Sequence, residues 1–434
     1  MNWRNWSGEL SCNPMHYHEP TTEEEIRDIV NRADPGGTIR VAGSGHSFSE
    51  VVPTDDTLLS LASFTGVTDV EEENNRATVR AGTELHDLGE TLAARGLAMR
   101  NMGDIDRQTI AGALATGTHG TGIDLGILST QVRKLRLVTG DGRVRTLTPG
   151  DGEEFRAAQV SLGALGVVTE VTLQLDPAYD LHERTWVASV DDVLENLETL
   201  RAENRNFEFF WFPHTDRALV KTLNETDADR TRSVPYSLDE RVENLLLEGV
   251  CRLSTRFPSL SPRLARLFAR GLSGGEAVGP SHETYPTRRT VRFNETEYGV
   301  PAEDAADVVR DVREQISRNE TAVLFPIEVR YTRGDDILLS TAHGRDSAFL
   351  SVHTYHRNPH QPLFDACQSI FREYDGRPHW GKMHPEDGER LRSCYPEWDV
   401  FDEVRRSFDP DRLFLNDHLA GLFEPRSVPA TGTQ

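Results

Sequence analysis

Lysine is almost missing from this chain. Of 47 basic residues only Lys134, Lys221 and Lys382 are lysines, and 70 acidic residues leave a formal net charge of −23 over 434 positions. A surplus of acid spread along the whole chain repels nucleic acid and anionic surfaces, which argues against both as principal partners. It suits a protein kept hydrated in concentrated salt, where self-repulsion is screened. Cysteine is scarce as well. Cys12, Cys251, Cys367 and Cys394 lie far apart without a CxxC spacing, so neither a disulfide framework nor a zinc site is indicated. No apolar run approaches the roughly 20 residues of a membrane span, and the opening "MNWRNWSGELSCNP" lacks a signal-type apolar core. A cytoplasmic protein, in a high-salt cytosol, is the expectation. Histidines gather at His16/His18, His353/His356/His360 and His379/His384, but the proline in "HRNPH" blocks helical pairing, and no metal site is expected.

What is present is a mixture of helices and strands without regular βαβ alternation, the pattern of an α+β protein. "TTEEEIRDIVNRAD" carries a capping box at Thr22 and Glu25 and apolar residues at helical spacing. The strand "TIRVA", a hairpin turning at Asn74-Asn75, the helix "ELHDLGETLAARG", a hairpin turning at Asp141-Gly142 and the buried strand "GALGVVTEVTLQL" follow. After about residue 178 the texture changes. Strands "ERTWVAS", "FEFFWFPH" and "ALVKTL" enclose one helix, "VDDVLENLETLRAEN", and a helical stretch covers roughly 239–272. "SGGEAVGPSHETYP" reads as a loop. Strands "RTVRFNETEY", "LFPIEVRYT" and "FLSVHTYHR" then alternate with the helix "EDAADVVRDVREQISRN" and another around Asp365–Tyr374, predicting a largely antiparallel sheet. The polar end "PRSVPATGTQ" reads as a frayed tail.

Two segments are rich in glycine and small hydroxyl residues. "VAGSGHSF" sets Gly43, Ser44 and Gly45 in a turn directly after a strand and ahead of His46 and Ser47; "GDIDRQTIAGALATGTHGTG" has five glycines in twenty positions. Such backbone can lie against a large flat or anionic ligand and bind phosphate through amides and hydroxyls. There is no GxxxxGK[ST] and no Rossmann fingerprint, so a large nucleotide cofactor held in another manner is one reading and a pair of loops the other. In "LFPIEVRYT", alternation puts Glu328 and Arg330 on one strand face and Ile327, Val329 and Tyr331 on the other. That pair is either a hydrogen-bonding wall for a polyhydroxylated ligand or an ordinary ion pair.

Six segments, "VAGSGHSF", "GDIDRQTIAGALATGTHGTG", "SLGALGVVTEVTLQL", "IEVRYTRGDDILLS", "GRPHWGKMHPEDGERLRSCYP" and "DPDRLFLNDHL", resemble in this order the sugar-lactone oxidases, L-gulonolactone and D-arabinono-1,4-lactone oxidases with the related alditol oxidases, among the vanillyl-alcohol-oxidase-type FAD enzymes. The resemblance implies a two-domain, PCMH-type FAD-binding fold with an α+β cap: 1–178 for FAD, 179–408 for substrate, and 409–434 returning to the FAD domain before the tail. It implies FAD attached covalently through His46. Gly43, Ser44, Gly45 and Ser47 would surround the pyrophosphate, and Gly103, Thr109, Gly112, Thr116, Gly117, His119 and Gly120 would supply further phosphate and ring contacts. Val168 would lie by the adenine or ribose half.

On the substrate side the resemblance implies Thr109, Glu328, Arg330, Ser351, His353 and Lys382, with Lys382, Glu328, Arg330 and His353 catalytic. Alditol oxidases present histidine then threonine where this chain has Ser351 and His353, which weakens the case for an open-chain alditol. Lys382 is retained as lysine in a chain that uses arginine almost everywhere else, which points to a compact, deprotonatable amine as the group required, a retained surface lysine like the two others being the alternative. The implied reaction is oxidation of a secondary hydroxyl of a sugar lactone with O2 as acceptor and H2O2 as product. An alditol oxidase, or a dehydrogenase using another acceptor, is the alternative.

Overall fold

The computed structural model describes residues 2–231, 238–287, 290–318 and 323–424. Its first helix, Glu23–Asn31, starts where Thr22 accepts the Glu25 N–H, while Glu25 reaches back to the Thr21 amide rather than closing the box on Thr22. Ile26 and Val30 bury its apolar side against a small parallel sheet of His16–His18, Thr57–Ser60 and Ile39–Ala42. Beside it lies an antiparallel sheet of five strands, in the order Val144–Leu147, Val132–Val138, Val167–Gln174, Arg76–Arg80 and Val67–Glu71. Both anticipated hairpins are there, with Asn75 and Gly142 in the left-handed conformation their tight turns demand.

The second half is organised on one antiparallel sheet of eight strands: β1 (Asp180–Ser189), β2 (Asn206–Trp211), β3 (Arg217–Thr226), β4 (Gly275–Pro280), β5 (Phe293–Pro301), β6 (Ile327–Thr332), β7 (Ser347–Tyr355) and β8 (Arg377–Pro378). Their spatial order is β4-β1-β3-β2-β6-β7-β5-β8. Alternation makes the two faces different in kind. Phe207, Phe209, Val220, Ile327, Val329, Leu350 and Val352 face the helices Val190–Glu195, Leu197–Glu203, Ala305–Arg318 and Gln361–Glu373 in one apolar core. The other face turns Glu208, Lys221, Glu328, Arg330, Ser351, His353, Glu295 and Glu297 toward the first half of the chain. All nine positions of β7 are buried, so these polar side chains are enclosed too.

Three expectations are corrected. "SGGEAVGPSHETYP" is not a loop: Gly275–Pro280 pairs with β1 as the sheet edge, where a proline need not donate, and Ser281–Thr284 forms a short helix. "VDDVLENLETLRAEN" is two helices, interrupted at Asn196. The helix placed around Asp365 begins earlier, at Gln361, with Pro362 in its first turn. The helical stretch becomes α1 (Leu238–Arg256) and α2 (Ser261–Arg270) joined by a 3-10 turn. Helices Gly388–Cys394, Trp398–Phe408 and Asp417–Phe423 pack Leu391, Trp398, Phe401, Phe408 and Leu419 into the apolar core of the first half. The tail "PRSVPATGTQ" lies outside the described residues.

Candidate active site

Strand Ile39–Ala42 delivers the chain into the turn Gly43–Ser44–Gly45. A Cβ on Gly43 would sit 2.5 Å from the Thr109 hydroxyl, and Gly45 has φ +74°, so the turn closes against the second glycine-rich segment only without side chains. Thr109 in turn caps the helix Ile110–Ala115 by accepting the Gly112 N–H at 3.3 Å. Between these segments and residues 161–168 runs a groove enclosing about 950 Å³, lined by Gly43, Ser44, Gly45, His46, Ser47, Thr109, Gly112, Thr116 and Val168. Its one cation, Arg40, is spent on the carbonyls of Val51, Leu162, Gly163 and Phe414. Anionic groups would therefore be held by N–H and O–H donors. A glycine cradle of this length and chemistry fits a dinucleotide.

His46 ends the groove. Burial, then the Lys382 ammonium, pull its pKa down to about 4, so the imidazole is neutral at neutral pH. Trp6 stacks on it at 5.7 Å. Here the groove opens into a second cavity of about 670 Å³, with His46, Ser47, Gln108 and Thr116 lining both.

The second cavity is walled by the polar face of the sheet. Register sets Ser351 between Glu328 on β6 and Glu297 on β5, and His353 opposite Glu295. One Glu297 oxygen, Oε1, accepts from Ser351 Oγ at 2.6 Å and Arg330 Nη2 at 3.0 Å and lies 3.3 Å from His119 Nε2. Burial pushes its carboxyl up, but His119, Arg330 and Lys382 outweigh that and hold it well below the usual carboxylate range. Glu295 is likewise held low against the effect of burial, chiefly by Lys382, with which it pairs, and by His353, 3.4 Å away. Lys382 therefore meets a carboxylate, to which it donates a hydrogen bond. Its turn is pinned beside His46: Phe48 N–H donates to Gly381 O at 2.7 Å and Ser49 Oγ to Trp380 O at 2.5 Å. Two buried acceptors, Glu297 Oε2 and Glu328 Oε1, have no hydrogen-bond partner in the protein. Unmet buried acceptors are costly and mark where ligand hydroxyls can bind.

Most anticipated residues line one cavity or the other; the second holds Gly103, His119, Glu328, Arg330, His353 and Lys382. His119 sits among the carboxylates, not along the groove, and donates from Nδ1 to Gly120 O at 2.8 Å. Gly117 and Gly120 line neither cavity. Gly120 is wedged where a Cβ would meet Met102 O at 2.1 Å, and Gly117 takes a positive φ against Val160 and Ile127. Ser351 stands one bond back, behind Glu297. Sequence reasoning missed Glu295, Glu297 and His379, although "NETE" alternates as "IEVR" does. His119, Glu297 and His379 bring ligand atoms within 4.8 Å of one another, but Arg330 already neutralises that carboxylate and His379 Nδ1 accepts the Gly381 N–H.

Residues 171–422 match the family model described as D-arabinono-1,4-lactone oxidase, and residues 14–148 match one described as an FAD binding domain. The chain is 40% identical to the L-gulono-1,4-lactone dehydrogenase of Mycobacterium tuberculosis, covering 98% of this chain and 99% of that one. It is 33% identical to L-gulonolactone oxidase of Bos taurus (97% and 98% covered) and 30% identical to alditol oxidase of a Streptomyces species (97% and 98%). In fold it is similar to a solvent-stable cholesterol oxidase, with a TM-score of 0.85 at 19% identity and 97% of each chain covered.

Proposed function

Because the chain belongs to the D-arabinono-1,4-lactone oxidase family, FAD-linked oxidoreductases acting on CH–OH groups, we propose that it oxidises a secondary hydroxyl of a sugar-1,4-lactone, of the D-arabinono-1,4-lactone or L-gulonolactone type, and passes the electrons to O2. The observation that carries this reading is the meeting of the glycine-lined groove and the carboxylate cavity at His46. It sets one end of a bound dinucleotide against a wall of hydroxyl-binding groups.

In this reading Gly43, Ser44, Gly45, Ser47, Gly103, Thr109, Gly112, Thr116 and Val168 hold FAD, and His46, neutral and therefore nucleophilic, carries the covalent link. The chemistry FAD supplies when bound is acceptance of a hydride from carbon, followed by delivery of both electrons to O2 with formation of H2O2. The chain's own residues orient the sugar. Glu297 Oε2 and Glu328 Oε1 accept from ring hydroxyls, while Arg330 and Lys382 donate to the lactone and reacting oxygens. The reacting hydroxyl, on the carbon next to the lactone carbonyl, gives its proton into the network of Lys382, Glu328 and His353, in which Lys382 donates to the oxygen and Glu328 or His353 accepts the proton. Thr109, at the junction of turn and helix, contributes a further hydroxyl.

A second reading, an acceptor other than O2, is supported by the dehydrogenase among the relatives. Anaerobic reduction of the bound flavin by a panel of aldonolactones, alditols and aldoses, followed by reoxidation with O2 or a dye, tests both. Reduction by alditols in preference to lactones would replace the lactone reading; reoxidation by dye alone would replace O2.

A further inference from the structure

Between Glu248 and Glu276 the chain has no acidic residue, although it carries 70 elsewhere. It has five arginines there, Arg252, Arg256, Arg263, Arg266 and Arg270, all exposed. The same stretch holds three of the four exposed large apolar side chains among the described residues: Leu253, Phe257 and Leu267, the last 66% exposed. Single exposed leucines are ordinary, but this grouping is not.

At 100° per residue the two kinds of side chain share a face. On α1, Arg252, Leu253 and Arg256 point away from buried Cys251 and Ser254, with exposed Phe257 directly after the helix end; on α2, Arg263, Arg266, Leu267 and Arg270 point away from buried Ser261, Ala265 and Ala269. The inner faces pack on Phe48, Phe293, Phe325 and Tyr355, and Phe48 and Phe293 line the second cavity. The helical pair is thus a roof over that cavity, basic and apolar on its outer side in a strongly acidic protein.

We propose that this outer face docks on an anionic lipid surface, with Leu253, Phe257 and Leu267 entering the headgroup boundary and the arginines meeting lipid phosphates. Charge complementarity carries the choice: clustered arginines on an amphipathic helix, with apolar residues between them, are built for anionic headgroups. A symmetric pair of this chain would set five arginines against five. No helix among the described residues is long and apolar enough to span a membrane, so the contact is one of surface attachment. The −23 of the whole chain opposes approach to such a surface. Attachment therefore depends on this patch facing the lipid and on the apolar insertions, which salt does not screen.

The test is co-sedimentation of the full-length flavin-loaded protein with phosphatidylglycerol vesicles and with phosphatidylcholine vesicles, in moderate salt that keeps it folded. Expected is binding at least about tenfold stronger to phosphatidylglycerol. The double variant Arg263→Glu/Arg266→Glu should lose about twentyfold or more, at roughly fivefold per arginine. Phe257→Glu/Leu267→Glu should lose at least tenfold, and both variants should keep the wild-type rate of flavin reduction and melting temperature. Leu267→Ser serves should the glutamate pair prove unstable. Equal or absent binding to the two vesicle types, variants that bind as wild type, or retention on an acidic protein without retention on vesicles would overturn the proposal.

Discussion

The groove that ends at His46 is built from backbone, and the cavity that begins there is built from side chains. Along the groove, glycines and hydroxyl residues from three segments leave room for a ligand and present N–H and O–H groups with hardly any net charge. In the cavity, three glutamates, Arg330 and three histidines are buried together beside the part-buried Lys382, each charge tolerable only because its neighbours neutralise it. The groove should therefore tolerate changes in the charged network, and the cavity should tolerate none of its own. Substitutions that affect one side and spare the other are the way to break this distinction.

His46→Ala should have the largest effect. Acid precipitation should release all flavin from this variant, whereas wild-type protein should keep yellow flavin on the peptide containing residues 41–50. Quantitative release from fully loaded wild type would remove His46 as the attachment point. On the other side, Lys382→Arg keeps the charge but replaces a compact ammonium by a planar fork, and should slow flavin reduction in stopped flow by about 10²-fold. Covalent flavin content should stay the same; a wild-type rate would take Lys382 out of the chemistry. Glu297→Gln leaves Ser351 and Arg330 partnered but halves the acceptor capacity of the wall. A tenfold or greater loss in the second-order rate of reduction, with flavin content intact, is expected, and an unchanged rate would make Glu297 purely structural.

Acid should weaken both regions. Burial lowers His46 to about 4 and His379 and His384 to about 3, below the ordinary 6.5. A depressed folded pKa means the unfolded chain takes up the proton first, so this stability is present above pH 6.5 and lost as pH falls toward 4 and 3. Each histidine steepens the fall by on the order of 1 kcal/mol per pH unit. Melting temperatures between pH 7 and 5 measure it. His384→Leu should flatten the slope without touching flavin reduction, and an unaltered slope would relieve His384 of that role. The smallest effect sits outside both regions: melting temperature should rise from dilute buffer to molar potassium chloride as the −23 is screened, and a constant value would give the charge another purpose.

How much could be read beforehand follows the same division. "VAGSGHSF" and "GDIDRQTIAGALATGTHGTG" are contiguous, and glycine at a close approach has few rival explanations, so the groove was legible almost residue by residue. Gly103 and His119 line the second cavity instead, and Gly117 and Gly120 line neither, because a glycine needed for packing spells the same as one needed for a ligand. The cavity was half legible. Glu328 and Arg330 stood out, yet Glu295 and Glu297, two strands away in the same row, carry the identical alternation and were not singled out. Only the strand order β6-β7-β5 joins them, and order in an antiparallel sheet is set by long-range pairing that no local spacing encodes. The edge strand Gly275–Pro280 was hidden by its own glycines and proline.

The turn that carries Lys382 is fastened to the segment that carries His46 by the Phe48–Gly381 and Ser49–Trp380 hydrogen bonds. This makes the protein a poor subject for part exchange. A chimera joining the first half of one family member to the sheet of another inherits two mismatched sides of that seam. It would misplace the Lys382 amine relative to His46 even if both halves folded well. Residues 46–49 and 379–382 should therefore be transplanted as a unit when new substrate specificities are engineered, with the crossovers placed outside both.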